Sequence, residues 1–305
     1  HILSGKNTLA PTVNQAGLYT LLITNSLNGC TNTAAATVLL DQTTPFAQIS
    51  PAKQLSCTVV NIQLDGLGSS NAPGLLYLWS ASAGGNIVSG GNSLTPLVNA
   101  PGQYGLLITD PANGCTAQAS VVVSRDVQQP IASVAQPAVL TCAVTTLSLD
   151  GTGSSTGPDF TYLWKTSNGS ILSGSNTLAP TIEKPGVYNL LITNTSNGCT
   201  RTITTTVVQD IATPQVDAGP SQTLICKSPF LTLAATATGM GSSFEFLWST
   251  PDGQILSGAN SLSPTVGKAG TYILLVKNLQ NGCSQSDEVV VLKDQNAPVS
   301  AAGVN

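Results

Sequence analysis

The sequence predicts an all-β protein, a tandem array of seven-strand Greek-key sandwiches, and three observations carry that expectation. Gly-x-Tyr, a Leu/Ile run and Asn-Gly-Cys recur together at Gly17–Cys30, Gly102–Cys115, Gly186–Cys199 and Gly270–Cys283. The cysteines of this block step by 85, 84 and 84 residues, and Trp79, Trp164 and Trp248 step by 85 and 84. A fixed long period marks an array in which each repeat is one folding unit. Within a repeat, short apolar–polar alternations are broken by Gly, Pro or Asn roughly every 8–12 residues, the pattern of antiparallel strands rather than helices. The last two runs of each repeat flank Asn-Gly, which favours the positive φ of a tight hairpin.

The repeat 127–210 shows each element in order. Pro130–Val134 and Val139–Val144 read as a split first strand, and Leu147 and Leu149 start the second, which ends in Asp150-Gly151. Tyr162-Leu163-Trp164 is the third strand, its Trp a core plug. Ile171–Gly174 and Leu178–Ile182 give two short strands, and Val187–Thr193 with Thr200–Val208 close the repeat as a hairpin. Gly-x-Tyr at the start of the sixth strand resembles the tyrosine corner of immunoglobulin-like domains. Tyr19, Tyr104, Tyr188 and Tyr272 are therefore expected in the core beside Trp79, Trp164 and Trp248. A repeat of 84 residues buries only about 60–65% of its unfolded surface, so one cross-link per repeat is a reasonable supplement.

The boundaries follow from the period: 1–41 is the C-terminal half of a repeat, 42–126, 127–210 and 211–294 are complete ones, and 295–305 opens another. Residues 1–40 are expected to be completed by another segment, upstream chain or neighbouring molecule, since half a sandwich cannot bury its own core. Asp-x-x-x-Pro recurs at Asp41–Pro45, Asp126–Pro130, Asp210–Pro214 and Asp294–Pro298. Proline fixes φ, so these joints are short and stiff.

Only 8% of residues are charged, with a net charge of −4, against about 25% charged in ordinary soluble proteins. Such a hydroxyl-rich, weakly acidic exterior does not attract nucleic acid or anionic membrane, and repels copies of itself little. No stretch of about 18 apolar residues is present to span a membrane. No catalytic constellation can be assembled: the one histidine is His1, and no carboxylate pair repeats. Asp65 and Asp150 precede Gly/Ser loops and are candidates for calcium, but the fourth repeat has Leu233-Ala234-Ala235 there, and turn capping accounts for them more simply. No metal, cofactor or catalytic residue is assigned, and the chain is expected not to be an enzyme.

Each complete repeat carries two cysteines without CxxC spacing, which argues for disulfides and an oxidising compartment. Two pairings stay open. Sequence economy favours Cys57–Cys115, Cys142–Cys199 and Cys226–Cys283 within repeats, each closing a loop worth roughly 4 kcal/mol. Topology favours the inter-repeat staples Cys57–Cys199 and Cys142–Cys283, because the first-to-second and sixth-to-seventh turns lie at opposite poles of one sandwich. A strand spans about 20 Å, whereas a disulfide holds Cα atoms within about 7 Å. The staple is preferred; it leaves Cys30 and Cys115 to upstream partners and Cys226 to a downstream one. Alternation from the inward tyrosines sends Leu22, Leu107, Leu191 and Leu275 outward as a candidate lateral contact row.

The string Leu140–Gly151, followed by Tyr-Leu-Trp, Pro-Gly-x-Tyr and Asn-Gly-Cys, resembles the PKD-like, immunoglobulin-like tandem repeats of Bacteroidota secreted surface adhesins and extracellular filament proteins. The Trp-Asp-Phe-Gly-Asp-Gly run of typical PKD domains is replaced here by Leu-Trp-Ser-Ala-Ser and its counterparts. The resemblance implies a cell-surface or extracellular protein. Two functions are carried forward: a structural segment of a long disulfide-reinforced filament or stalk, whose partners are further copies of the repeat, and an adhesive array binding surface glycans. The short Ser/Gly/Asn loops of nearly fixed length favour the first.

Overall fold

A computed structural model describes residues 1–238, 243–294 and 296 of the chain. The described residues contain strands and turns and no helix. They fall into two compact units, His1–Gln128 and Gln129–Asn305.

The second unit shows the immunoglobulin-like sandwich twice. In its first sandwich Phe160–Thr166, Gly186–Asn194 and Thr200–Val207 form one antiparallel sheet. Leu147–Ser148, Thr181–Lys184 and Ser170–Ser173 form the facing sheet. Leu140–Thr141 runs parallel to Gln209–Asp210 beside the first sheet. The inner faces meet on Leu140, Leu149, Trp164, Ile182, Tyr188, Leu190, Ile192 and Val207. The second sandwich repeats the plan: Gln222–Leu224, Ser284–Lys293, Gly270–Asn278 and Phe244–Ser249 make one sheet, and Leu231–Thr232, Thr265–Lys268 and Gln254–Ser257 the other. Burial of its core residues, among them Trp248, Tyr272 and Leu274, is the main favourable term.

The first unit holds a complete sandwich around Leu55, Trp79, Val98, Tyr104 and Ile108. Before it, residues 1–40 form a short ladder, Ile2–Ser4 with Thr12–Val13, and the hairpin Gly17–Thr24 with Thr31–Val38. No residue in 1–40 is buried. Tyr19, expected in a core, is only half-buried, because these four strands close nothing over their inner face.

The tyrosine corner has one geometry throughout. The Tyr188 hydroxyl donates to the Lys184 carbonyl at 2.6 Å and accepts the Ser170 N–H at 3.0 Å. Tyr104 does the same with Ala100 and Asn86, at 2.7 and 2.8 Å. Each tryptophan indole N–H donates to a backbone carbonyl, Ser93 at 2.7 Å, Thr177 at 3.0 Å and Ser261 at 2.9 Å. A buried ring with a polar edge needs such a partner.

The first strand departs from expectation. Pro130–Val134 is not a strand, and of Val139–Val144 only Leu140–Thr141 is. Pro130 and Pro137 bring no N–H donor, and a ladder cannot run through them. The buried Ser154 hydroxyl takes over instead, accepting the Ser133 N–H at 3.0 Å and donating to its carbonyl at 2.9 Å. Of the further repeat expected at 295–305, all but Asn296 lies outside the described residues, including Pro298 of the last Asp-x-x-x-Pro.

Candidate functional site

The feature that goes beyond a plain sandwich is the joint between successive sandwiches in the second unit. It begins with the hairpin turn of the fourth repeat. Asn278 N–H donates to the Cys283 carbonyl and Gly282 N–H to the Asn278 carbonyl, both at 2.8 Å. Gly282 sits at φ +72°, a left-handed conformation that glycine adopts without penalty. The Asn281 side-chain oxygen accepts the Cys283 N–H at 2.9 Å. This leaves the Asn281 amide group pointing out of the turn.

That amide reaches the linker of the preceding repeat. Asn281 Nδ2 donates to Asp210 Oδ1 at 3.1 Å and to the Ala212 carbonyl at 3.0 Å. Asp210 Oδ1 also accepts the Ala212 N–H at 3.1 Å, so linker and turn are held by one carboxylate. The Asn281 carbonyl accepts the Ala143 N–H at 3.2 Å. A Cβ on Gly282 would lie 2.5 Å from the Ala143 Cβ, so only glycine lets the two turns approach this closely. Asn281 is 2% exposed; a buried amide with its donors satisfied fixes register as well as contributing energy.

The covalent element follows from that approach. Cys142 and Cys283 are joined by a disulfide with Cα atoms 5.0 Å apart and a sequence separation of 141. The within-repeat alternatives Cys142–Cys199 and Cys226–Cys283 are therefore not formed, and Cys226 is a free thiol. Cys57–Cys115 is likewise excluded by the free Cys115. The reason is strand length: the eight residues Thr200–Val207 separate the two turns of one sandwich by about 27 Å, far beyond disulfide reach. Cys57 and Cys199 are each disulfide-bonded; Cys30 is free and exposed.

The other hairpin turns share the geometry. Cys30, Cys115 and Cys199 N–H donate to Asn28, Asn113 and Asn197 Oδ1 at 3.0, 2.9 and 2.9 Å. In the first unit, Asn113 Nδ2 donates to the Thr43 carbonyl at 3.0 Å. Beside it, the Thr43 N–H and hydroxyl and the Asn113 amide hold the Asp41 carboxyl below the usual range. The asparagine clamp escaped sequence reasoning. Its signal was present: a tight turn needs Asn only for local bonding, yet Asn precedes Gly-Cys at all four hairpins.

The remaining candidates can be placed plainly. Trp79, Trp164 and Trp248 are 4%, 2% and 2% exposed, and Tyr104, Tyr188 and Tyr272 are fully buried. Leu106, Leu190 and Leu274 point into the cores. Their neighbours point the other way: Leu22 and Leu275 are exposed, Leu107 and Leu191 half-buried. Across the sheet these meet Leu78, Leu163 and Leu247, so each complete sandwich carries an outward leucine pair, of which the sequence reading named one member. Asp150 caps its own turn, accepting the Thr152 hydroxyl at 2.6 Å and N–H at 2.9 Å; these bonds lower its pKa. Asp65 accepts the Leu67 N–H and the Ser50 hydroxyl, both at 3.0 Å.

No known protein-family profile matches the chain. Among solved structures it is similar to the I-band fragment I67–I69 from titin, at 12% identity over 83% of this chain and 100% of that one, with a TM-score of 0.39. It is also similar to three N-terminal domains of the bacteriophage RB49 outer capsid protein Hoc, at 15% identity, 83% and 99% coverage and a TM-score of 0.32. A third likeness is to the N-terminal eight Ig domains of Down Syndrome Cell Adhesion Molecule, at 13% identity, 93% and 40% coverage and a TM-score of 0.35.

Proposed function

We propose that this chain is a structural segment of a long extracellular filament or cell-surface stalk, built of PKD-like sandwiches of the Bacteroidota type and stiffened at its joints. The observation that carries the reading is the Cys142–Cys283 bond between successive sandwiches, reinforced by the Asn281 clamp on Asp210. A disulfide within a domain stabilises that domain; one between domains removes the freedom of a linker, and its natural benefit is stiffness. By the repeat period, Cys57 and Cys199 stand where Cys142 and Cys283 do, and the same staple is proposed for them. Disulfides persist in oxidising compartments, which fits an extracellular setting. The repeats work by length and multiplicity, without catalysis, and their partners are further copies of the repeat, with the outward leucines as the lateral row.

The adhesive alternative is less well supported. Glycan-binding arrays stack sugars on exposed aromatic rings, and the tryptophans here are buried. Imaging the native secreted material tests the reading. Unbranched fibres with a domain-scale axial beat that soften on reduction are expected; flexible strings indifferent to reductant would overturn it.

A further inference from the structure

The clamp at the joint depends on one amide that its own sequence makes perishable. Asn281 precedes Gly282, and a glycine nitrogen, unhindered by a side chain, is the backbone nitrogen best able to attack the preceding asparagine's side-chain carbonyl carbon. The docked turn holds both partners away from that attack. The Asn281 side chain is buried and fixed by three hydrogen bonds: Oδ1 accepts the Cys283 N–H at 2.9 Å, and Nδ2 donates to Asp210 Oδ1 at 3.1 Å and to the Ala212 carbonyl at 3.0 Å. The Gly282 N–H is committed to the Asn278 carbonyl at 2.8 Å, and Ala143 packs where a Gly282 side chain would stand. Asp210, Ala212 and Ala143 all lie outside the fourth repeat's turn, and Ala143 directly follows Cys142 of the disulfide. Their restraint lasts only while the joint is closed.

Conversion of this amide would also matter to the joint. The Asn281 nitrogen donates twice here, whereas a carboxylate donates nothing. Aspartate at this place would set a second carboxylate against Asp210 Oδ1 and leave the Ala212 carbonyl without its donor. Like charges at hydrogen-bond distance, away from water, repel strongly.

We infer that Asn281-Gly282 is a conditional self-modification site: the closed joint preserves the asparagine, and the opened turn deamidates so that the joint no longer closes. The inference rests on the stiff-joint reading above and adds its regulation, since reduction of Cys142–Cys283, reversible in itself, becomes permanent. In the first step the Gly282 nitrogen bonds to Asn281 Cγ and the Cγ–Nδ2 bond breaks. The amide leaves as ammonia, carrying off the Gly282 proton, and a succinimide remains. Water then opens the ring at either of its carbonyl carbons and returns a proton to the Gly282 nitrogen, leaving aspartate or isoaspartate. Water is the only co-reactant, and no electrons are exchanged.

The test compares the full 305-residue chain with its Cys142→Ser/Cys283→Ser variant. Free thiols are alkylated, both proteins are incubated at mildly alkaline pH, and their digests are mapped for aspartate and isoaspartate. Conversion at Asn281 is expected to be about tenfold faster in the variant, because in the closed joint the amide must first give up a hydrogen bond to a charged group. Two other Asn-Gly sites calibrate the comparison. Asn168-Gly169, exposed and bonded to Val187 of its own sandwich, converts equally in both proteins. Asn197-Gly198, where Asn197 is buried like Asn281 and Cys199 keeps its disulfide, stays intact in both. A second arm reads the consequence in a glutathione redox buffer. Asn281→Asp makes Cys142–Cys283 about tenfold easier to reduce, the same lost bond read as an equilibrium. Adding Asp210→Asn restores it, because the exchanged pair again sets one amide donor against one carboxylate. Equal Asn281 conversion in the two proteins, an Asn281→Asp chain that closes its disulfide like wild type, or a defect that Asp210→Asn does not restore overturns the inference. In each case a Cys142–Cys283 peptide in the wild-type digest leaves the stiff-joint reading standing; absence of that peptide removes both.

Discussion

Pulling on the joint gives a direct measure of the staple. Handles at Gln136 and Lys293, both exposed, load the third and fourth repeats. With Cys142–Cys283 intact, force crosses the bridge between Cα atoms 5.0 Å apart, and the 141-residue separation it spans is shielded from load. An extended chain covers about 3.4 Å per residue, so about 480 Å of contour stays hidden. The Cys142→Ser/Cys283→Ser variant leaves the bonds of Cys57 and Cys199 in place and exposes that length. In optical tweezers under non-reducing conditions, its fully extended contour is expected to exceed that of the wild type by about 480 Å. A gain of about 190 Å would point to the within-repeat Cys142–Cys199 bond, and no gain would mean that neither bond exists in solution. Either result refutes the staple.

Three further outcomes follow from the same contacts. Tyr188→Phe leaves the Ser170 N–H and Lys184 carbonyl without their hydroxyl partner, and should cost about 1–3 kcal/mol, read as a lower denaturation midpoint at unchanged slope. Gly282→Ala and Gly29→Ala both force a side chain into a left-handed backbone, at about 1–2 kcal/mol, but only the first collides with Ala143; Cys142–Cys283 should therefore be reduced faster in Gly282→Ala and at the wild-type rate in Gly29→Ala, followed by dithiol titration. The Asp41 and Asp150 carboxyls, held down by hydrogen bonds from Thr43 and from Thr152, should titrate by NMR below the ordinary Asp value. Because these pKa values are depressed in the folded state, the stability they contribute is present above the unfolded value of about 3.9 and lost as pH falls through the folded one. Thr152→Val should bring Asp150 back up toward that value.

The local chemistry of this chain was legible in its sequence. Period-two alternation placed Leu106, Leu190 and Leu274 inward and their neighbours outward, because a strand has only two faces. Asn-Gly placed the hairpins, because few residues tolerate the φ of Gly114, Gly198 and Gly282. The tyrosine corner was readable because its partner carbonyl lies four residues upstream. The first strand was misread where local pattern met a missing donor: Pro130–Val134 alternates correctly, but prolines cannot hold a ladder. What only the tertiary structure decided was which cysteines meet. Counting residues favoured Cys142 with Cys199 while strand length favoured the staple, so the sequence left two pairings open. The choice depends on where a strand of fixed length delivers each turn, and the turns of one sandwich lie at opposite poles while those of successive sandwiches face each other. The Asn281 clamp was hidden for the same reason. Its acceptor, Asp210, is 71 residues away in sequence and becomes a neighbour only once both repeats have folded.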